Sequence, residues 1–415
     1  MNAAPATLAA PAAAPRGAAA RPRLIANLLV RHVEEMAYLW ERRCAVRHAP
    51  DCTVRQFGEL NERIEAHTQG LLVAGPALLE FARPLMASAE RGEAFAGAYS
   101  ILRANRPDWT AQVIGTFAAA DGAGLRGIRD ALCAFSRHAA LDVRDVLEKG
   151  DPLHAVSAAA VLAAGGRLDA AAPRLAALLL DENPDVAQMA WWVALRVDDI
   201  GTGIRRPFEP ALGQPHAGVQ SAALGAAIWR GEPWARDRAQ RLAQGGSAGA
   251  LQWLAAIGES ADLPVLRAAV AGQDGAAPCL ELAGRFGHCA MIELLLGAMA
   301  SDDPAQAAAA ALEFARIVGV EVRGQRRTLA VADDADEFER EFAPQVWLPD
   351  LAKAGRLWQQ NAEKWRAGER WCRGHEIARS LPRSAQPWID LQAFWDFGAR
   401  AALAGKRAFA PPELW

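Results

Sequence analysis

The first group of side chains whose spacing could support chemistry is Cys44, His48 and Cys52. On one helix, a spacing of four residues would place these three potential metal ligands on the same face. Pro50 interrupts the last turn, however, and no fourth ligand for a tetrahedral zinc site lies nearby. The sequence therefore predicts no metal site.

Two histidines lie near acidic residues with which they could form acid–base pairs. His32 is close to Glu35, and both belong to a stretch with the apolar spacing of an amphipathic helix. His67 is close to Glu62 and Glu65 in a second such stretch. Because these stretches are dense in charge, we expect ion pairs or solvated side chains. The sequence also has no GxSxG, Walker A, HExxH or paired CxxC motif, so we predict no catalytic residues, no cofactor and no enzymatic activity.

A glycine-rich motif of the GxGxxG type spans residues 122–127. In dinucleotide-binding proteins this motif follows a β-strand and opens a helix. Here the preceding residues, AQVIGTFAAAD, have helical periodicity. We therefore predict a loop between two helices at this position and no nucleotide site.

Tryptophan and arginine residues are the strongest candidates for a binding surface. Trp191 and Trp192 are neighbours, and adjacent residues on a helix point about 100° apart, so both cannot face one core. The stretch 358–379, WQQNAEKWRAGERWCRGHEIAR, interleaves aromatic and cationic residues. Such a mixture suits a protein interface, single-stranded nucleic acid, or core packing with the arginine guanidinium groups in solvent. For the paired tryptophans, the alternative to a binding surface is packing between helices. The predicted partner-binding residues are Trp191, Trp192, Trp358, Trp365, Arg366, Arg370, Trp371 and Arg373.

The elements that must position these residues repeat along the middle of the chain. Six alanine-rich helical segments each begin just after a turn signal such as Asp-Pro, Asn-Pro or Gly-Gly. The second residues of these turn pairs are at positions 152, 184, 215, 246, 275 and 304. A second helical segment, often with proline near its start, lies between consecutive members. A period of about 30 residues with two helices per unit is typical of an α-solenoid.

The segments on either side of the repeats differ from them in character. In the N-terminal segment, Thr53 and Gln56 have the spacing of a capping box that opens a second helix. After the repeats, helical periodicity ends at VEVRGQRRTLA and the acidic run VADDADEFEREF follows. The predicted boundaries are 1–23 for a disordered Ala/Pro-rich tail, 24–120 for an N-terminal helical cap, 121–319 for the repeat array, 320–346 for an acidic linker and 347–415 for a Trp/Arg-rich helical C-terminal module.

Composition limits the class of protein. The chain has 415 residues, of which 52% are hydrophobic and 22% charged, so it can form a large core. Its 45 basic and 48 acidic residues give a formal net charge of −3, which argues against an extensive nucleic-acid-binding surface. Six scattered cysteines, the lack of a leader-type apolar segment and the lack of an apolar run of ~20 residues predict a cytoplasmic protein with reduced thiols and no membrane span.

Three stretches together resemble a family of uncharacterised bacterial HEAT-repeat-like proteins associated with type VI secretion gene clusters. They are VEEMAYLWERRCAVR with FGELNERIEAHTQGLLVAG (33–47 and 57–75), the repeat array, and WLPDLAKAGRLWQQNAEKWRAGERWCRGHEI (347–377). Asn61 stands where the family more usually has aspartate. The resemblance implies a helical-repeat fold and an accessory role beside a secretion machine, and it supplies no catalytic residues.

These observations predict an all-α fold, namely an α-solenoid of HEAT-like two-helix repeats with a helical N-terminal cap and a tryptophan-rich C-terminal cap. The predicted function is a protein–protein interaction scaffold or adaptor. By the resemblance, it would serve effector loading or assembly in type VI secretion, with a secretion effector or component as its protein partner. We do not expect a nucleic-acid partner. The alternatives are a helical-repeat enzyme of the DNA-glycosylase or lyase type, and nucleic-acid binding by the C-terminal module.

Overall fold

The computed structural model describes residues 25–47, 49–136, 138, 141–168, 173–197, 208–272, 277–331, 334 and 336–406. The described residues form 21 α-helices, four short β-strands and several short 3-10 helices. At this level the all-α prediction is confirmed. None of the helices in these ranges combines the length and the apolar character that crossing a bilayer requires.

The N-terminal part consists of seven helices, and the first two form a hairpin. Thr53 caps the second helix as predicted: its hydroxyl accepts a hydrogen bond from the Gln56 N–H, and the Gln56 side chain accepts one from the Thr53 N–H. The helices are α1 (Ala26–Val46), α2 (Val54–Leu72), α3 (Leu78–Met86), α4 (Arg91–Arg103), α5 (Pro107–Phe117), α6 (Gly122–Phe135) and α7 (Arg144–Lys149).

The part that follows, which we call the array, has a helix at each of the six places where the sequence predicts the first helix of a repeat. The turn pair at positions 274–275 lies outside the described residues. The first helices are α8 (Pro152–Ala164), α10 (Pro184–Ala194), α12 (Ala217–Trp229), α14 (Ala248–Ile257), α16 (Ala277–Phe286) and α18 (Pro304–Val318). The helices between them are α9 (Pro173–Leu178), α11 (Phe208–Leu212), α13 (Ala235–Gln244), α15 (Leu263–Ala271) and α17 (Ile292–Met299).

Three of the first helices begin in the same way, with a polar cap followed by proline. The side chains of Asp151, Asn183 and Asp303 each accept a hydrogen bond from the backbone N–H two residues further on. Proline occupies the first helical position after each cap, where its missing N–H has no helical partner to lose. These three turn signals of the sequence are therefore helix starts.

The first helices pack against one another in chain order. α6 contacts α8, α8 contacts α10, and the series continues through α12, α14 and α16 to α18. Alanines such as Ala158, Ala190, Ala223 and Ala256 are fully buried on these helices, and their small side chains let the backbones approach closely. One hydrophobic cluster extends from Leu29 in α1 to residues in the last helix, so the cap, the array and the C-terminal part share a core.

The glycine-rich motif at 122–127 is helical, so the predicted loop is wrong. It forms the first turns of α6, and two of its glycines face the segment that holds α4. A Cβ at Gly127 would overlap the carbonyl oxygen of Arg91, and one at Gly124 would approach that of Ser88. The glycines therefore allow close packing of α4 and α6, which a side chain would prevent.

The segment predicted as an acidic linker contains regular structure. β1 (Arg323–Thr328) and β2 (Gln345–Pro349) pair antiparallel, with Arg326 opposite Trp347 and an irregularity between Arg323 and Arg326. We call this two-stranded sheet the ribbon. The connection between its strands contains a short helix, α19 (Glu337–Glu341). The remaining elements are α20 (Leu351–Arg366), the two-residue antiparallel strands β3 (Trp371–Cys372) and β4 (His375–Glu376), and α21 (Leu391–Leu403).

The C-terminal part packs directly on the array. α21 contacts α12 and α14, and it also contacts α2. Arg370 donates hydrogen bonds to the carbonyl oxygens of Ala255 and Gly258 at 2.8 and 2.9 Å, and Arg400 donates one to that of Ala256 at 3.0 Å. These carbonyls lie at the C-terminal end of α14, where backbone acceptors have no partner within the helix. The two arginines therefore cap α14 and attach the C-terminal part to it.

Replacing Gly127 with alanine should destabilise the protein by about 1–3 kcal/mol, because the added methyl group overlaps the Arg91 carbonyl between α4 and α6. Gly58→Ala is the matched control. Gly58 lies within α2 with no atom within 4 Å of an added Cβ, so alanine should raise stability by up to ~1 kcal/mol. Urea unfolding followed by circular dichroism measures both variants. Equal unfolding midpoints would show that the α4–α6 contact accommodates the methyl group.

Candidate functional site

Four of the eight predicted partner-binding residues are buried, which corrects their assignment to a binding surface. They are Trp191, Trp365, Arg370 and Trp371. Trp191 packs against Phe208 with ring centroids 4.7 Å apart. Trp371 donates its indole N–H to the carbonyl oxygen of Trp365 at 2.9 Å. Because Trp buries a large area, core packing accounts for these residues.

The other four predicted residues are at least partly accessible, but they do not form one surface. Trp192 is half-buried, with its ring 6.3 Å from that of Trp253 in α14. Trp358 is half-buried on α20, and the guanidinium of the exposed Arg366 lies 5.3 Å from its ring. Arg373 lies elsewhere, after β3, with its guanidinium bound to a buried carboxylate. Of the four, Arg373 lines the groove described below.

The histidines considered for acid–base chemistry contact each other across the α1–α2 hairpin. The Nδ1 atoms of His32 and His67 are 3.0 Å apart, so one ring donates and the other accepts. Burial, reinforced by His32, lowers the pKa of His67. Glu65 forms an ion pair with Arg103 of α4. These contacts join α1, α2 and α4, as expected for interhelical pairs.

The cysteines considered for metal binding are free thiols. Burial is the main cause of the raised pKa of Cys44 and raises that of Cys52 to about 11. His48, the third residue of that group, lies outside the described residues. Within the described ranges, no three His, Cys, Asp or Glu side chains come together in an arrangement that could hold a metal ion.

Asp130 resembles the aspartate that a glycosylase would need beside tryptophan. Its fully buried carboxylate accepts hydrogen bonds from Trp40 Nε1 at 3.3 Å, from Arg91 at 2.5 Å and from Arg129 at 2.8 Å. A carboxylate enclosed by three protein donors does not reach a substrate in this structure. Its contacts join α1, α4 and α6, so we assign it a structural role.

A groove at the end of the array combines open space with exposed aromatic, aliphatic and cationic side chains. Its volume is about 450 Å³. It lies between α18, the ribbon and the loop that leads into α2, and we call it the ribbon groove. Its walls are Ala308, Ala311, Leu312 and Ala315 on α18, Val322, Arg323, Val346 and Trp347 at the ribbon, and Asp51, Thr53 and Gln56 at the start of α2.

The α18 wall of the ribbon groove is an apolar stripe. Ala308, Ala311, Leu312 and Ala315 have the spacing i, i+3, i+4 and i+7, which places them on one face of the helix. Leu312 is 39% exposed. The small alanines leave the space of the groove, and Leu312 projects an aliphatic side chain at its edge.

The ribbon wall presents Trp347 between arginines. Its ring is 39% exposed, and the guanidinium carbons of Arg323 and Arg326 lie 5.7 and 4.7 Å from the ring centroid. Cation–π contacts of this kind hold the indole in place while leaving part of its surface accessible. The wall therefore offers an ordered aromatic surface with a cationic rim.

A buried ion-pair junction lies beneath the ribbon groove. The carboxylate of Asp390, only 1% exposed, accepts hydrogen bonds from Arg316 Nε at 3.0 Å and from Arg373 Nε at 2.5 Å. Arg373 also donates to the carbonyl oxygen of Asp51 at 2.9 Å. Both arginines line the groove. Asp390 thus fixes the positions of α18, the segment after β3 and the loop before α2.

Glu313 belongs to the same junction and is buried in α18. Arg316 Nη1 donates a hydrogen bond to Glu313 Oε2 at 2.7 Å. Burial raises the pKa of Glu313 to about 7, although Arg316 opposes the shift, and Glu281 and Asp390 add to it. Glu313 therefore gains or loses a proton near neutral pH.

A second cavity, of about 440 Å³, lies between α21 and α14 and contains three arginines. Arg236 is paired with Glu259 and Asp262 at 2.8 and 2.9 Å. Arg370 and Arg400 are the caps of α14, and burial lowers the pKa of Arg370 well below its usual range and that of Arg400 to about 10. These cations are engaged by the protein, whereas the ribbon groove exposes Leu312 and Trp347, so we take the ribbon groove as the candidate functional site.

The residues that distinguish the ribbon groove were not among those predicted from the sequence. Trp347 is one of the C-terminal tryptophans, and Arg323 and Arg326 lie where helical periodicity ends. The pairing of β1 with β2 across the acidic run brings these residues together. Leu312 carried a local signal, since it is the large aliphatic residue in an alanine-rich stretch of α18.

Asp390→Asn should destabilise the protein by about 3–5 kcal/mol, because the buried Arg316 and its neighbour Arg373 lose the carboxylate that they share. Glu59→Gln is the control: it breaks the exposed Arg55–Glu59 pair, which is worth less than ~1 kcal/mol. Chemical unfolding measures both. A loss in Asp390→Asn no larger than in Glu59→Gln would refute the structural importance of the junction.

Stability should fall as pH rises through the range set by Glu313. The pKa is about 7 in the folded protein and 4.5 without the shift, so between these values the native state holds a proton that the unfolded chain has released. Glu313→Gln keeps an oxygen acceptor for Arg316 but cannot titrate. We therefore expect the wild type to lose stability relative to Glu313→Gln between about pH 4.5 and 7, measured by unfolding at a series of pH values. A pH-independent difference would contradict the raised pKa.

Comparison of the chain with protein-family models, with curated proteins and with solved structures gives no match. A functional proposal therefore rests on the ribbon groove, on the order of helix contacts and on the resemblance described from the sequence.

Proposed function

We propose that the chain is an α-solenoid of HEAT-like repeats that acts as a protein–protein interaction scaffold or adaptor. The order of helix contacts supports the solenoid, because each first helix packs against the first helix of the next unit. Arrays of this kind offer extended surfaces to other proteins.

The ribbon groove is the observation that carries the proposal. It exposes Leu312 and Trp347 in a concave setting, and arginines surround the tryptophan. Trp and Arg are the residue types most enriched in interface hot spots. Because the ring of Trp347 is already held by Arg323 and Arg326, binding would cost little side-chain entropy. A partner protein would bury these side chains without rearranging the groove.

The identity of the partner is proposed from the resemblance. The stretches at 33–75 and 347–377 resemble bacterial proteins associated with type VI secretion gene clusters. We therefore propose a secretion effector or a component of the machine as the partner, and a cytoplasmic role in effector loading or assembly.

Nucleic-acid binding by the C-terminal part is the second candidate, favoured by one observation. β1 carries three arginines in six residues, next to the exposed ring of Trp347, a combination that suits single-stranded nucleic acid. Asp51 and Glu321 in the same groove oppose it, since they would repel phosphates. Protein binding is therefore the first proposal.

Trp347→Ala should abolish capture of the partner, because loss of a hot-spot tryptophan typically costs ~2 kcal/mol or more, about 30-fold in affinity. Affinity capture from the cytosol of the native host with quantitative mass spectrometry measures the effect. Trp388→Ala is the matched control: Trp388 is also exposed and lies under Arg55, but it does not line the ribbon groove.

A partner retained by the wild type and Trp388→Ala but lost from Trp347→Ala and Leu312→Glu supports the proposal. Equal capture by all four proteins would place the interface elsewhere.

A fluorescent single-stranded oligonucleotide tests the second candidate, nucleic-acid binding. If it bound the wild type at physiological salt and its affinity fell steeply with ionic strength, nucleic-acid binding would replace protein binding as the function.

A further inference from the structure

We propose that the ribbon groove of one molecule receives α19 of a second copy, so that the free protein forms a symmetric dimer. The inference uses the same groove as the proposed function, but it does not depend on a foreign partner. It follows from an exposed aromatic helix and a groove of complementary character in one chain.

The ligand side of the contact is an exposed aromatic pair, Phe338 in α19 and Phe342 directly after its last residue. Phe338 and Phe342 are 67% and 64% exposed, and their ring centroids are 4.5 Å apart. The spacing i, i+4 places both rings on one face of the helix. Exposed neighbouring aromatic rings mark an interaction site, because removing their apolar surface from water is favourable.

The charge of α19 is opposite to that of the ribbon. Acidic residues surround the aromatic pair, and Asp336 and Glu339 also form the capping box that starts the helix. On β1, Arg323 is paired with Glu321, whereas the described residues give Arg326 and Arg327 no carboxylate partner. An acidic helix would supply those partners. In the sequence, the charged residues of the acidic run are Asp333, Asp334, Asp336, Glu337, Glu339, Arg340 and Glu341.

The ribbon groove also fits the aromatic pair in size and character. Its volume of about 450 Å³ is within the usual range for a drug-sized ligand, which leaves room for two phenyl rings. Leu312 and Trp347 offer the apolar surface against which the rings would pack. Within one molecule the rings remain exposed, so α19 does not fill its own groove.

The topology allows the contact to close as a dimer. α19 lies in the connection between β1 and β2, and both strands belong to the ribbon that forms the groove wall. Helix and groove are thus close together along the chain, and in an isologous two-fold interface each copy contributes both. Each copy would donate its α19 and receive that of the other. Such a dimer would compete with a partner for the groove.

The test is sedimentation velocity of the full chain over a wide range of concentrations. We expect a concentration-dependent dimer. Phe338→Ser with Phe342→Ser should raise its dissociation constant about tenfold or more. The control is Leu28→Ser with Val30→Ser, which removes two exposed apolar side chains from α1 and should leave the constant unchanged. A monomer at all concentrations would overturn the proposal, as would a dimer insensitive to the phenylalanine changes.

A charge exchange tests the complementarity independently. Arg326→Glu with Arg327→Glu should weaken the dimer, and adding Glu337→Arg with Glu341→Arg in the same chain should restore it. Failure of the restored pair to dimerise would count against the inference.

A labelled peptide spanning residues 329–344 distinguishes binding of a second copy in the ribbon groove from binding of a partner protein there. Binding of the peptide to the wild type but not to Trp347→Ala supports the groove as its receptor. If the peptide binds while the full chain stays monomeric, the second copy is excluded as the occupant. If the wild type is a monomer at all concentrations and Trp347→Ala still abolishes capture of the partner, the dimer is rejected and the proposed function stands.

Discussion

Asp390 accepts hydrogen bonds from two guanidinium groups that reach it from different parts of the chain, Arg316 of α18 and Arg373 after β3. Next to it, the Val54 N–H donates to the carbonyl oxygen of Ile389 and the Leu391 N–H to that of Cys52. A buried carboxylate with charged donors is costly to disturb, because removing it leaves its partners buried and unpaired. The ribbon groove depends on this junction, since Arg316 and Arg373, which Asp390 holds in place, both line it.

The C-terminal part is held to the array by a second type of contact, between buried arginines and helix ends. Arg370 and Arg400 donate to carbonyls at the end of α14, where the helix dipole places partial negative charge. Arg285 of α16 forms a two-point ion pair with Asp396 of α21 at 2.8 and 2.9 Å. The desolvation of these cations is offset by backbone and carboxylate acceptors, so the arginine-rich composition of this region mainly serves the fold.

Local signals in the sequence predicted the helices. The burial of the C-terminal tryptophans and the position of the ribbon groove depend on long-range contacts, so the sequence did not predict them. Turn pairs such as Asp303-Pro304 marked helix starts because the cap and the proline act within one turn. The burial of Trp365 and Trp371 was not predictable, since it depends on how the C-terminal part packs against the array. The ribbon groove was missed for the same reason: the pairing of β1 with β2 spans the acidic run, and periodicity reports only local structure.

The contacts of α21 also constrain how such a chain can evolve. In an open array each unit touches only its neighbours, so units can be duplicated or deleted with little effect on the rest. Here α21 contacts α12 and α14, while the residues just before it bind both α18 and the loop into α2. An added or missing unit would change the separation of α18 from the α1–α2 hairpin and break these contacts. In the proposed solenoid these contacts therefore fix the number of units, and insertions and deletions should fall in the loops within units.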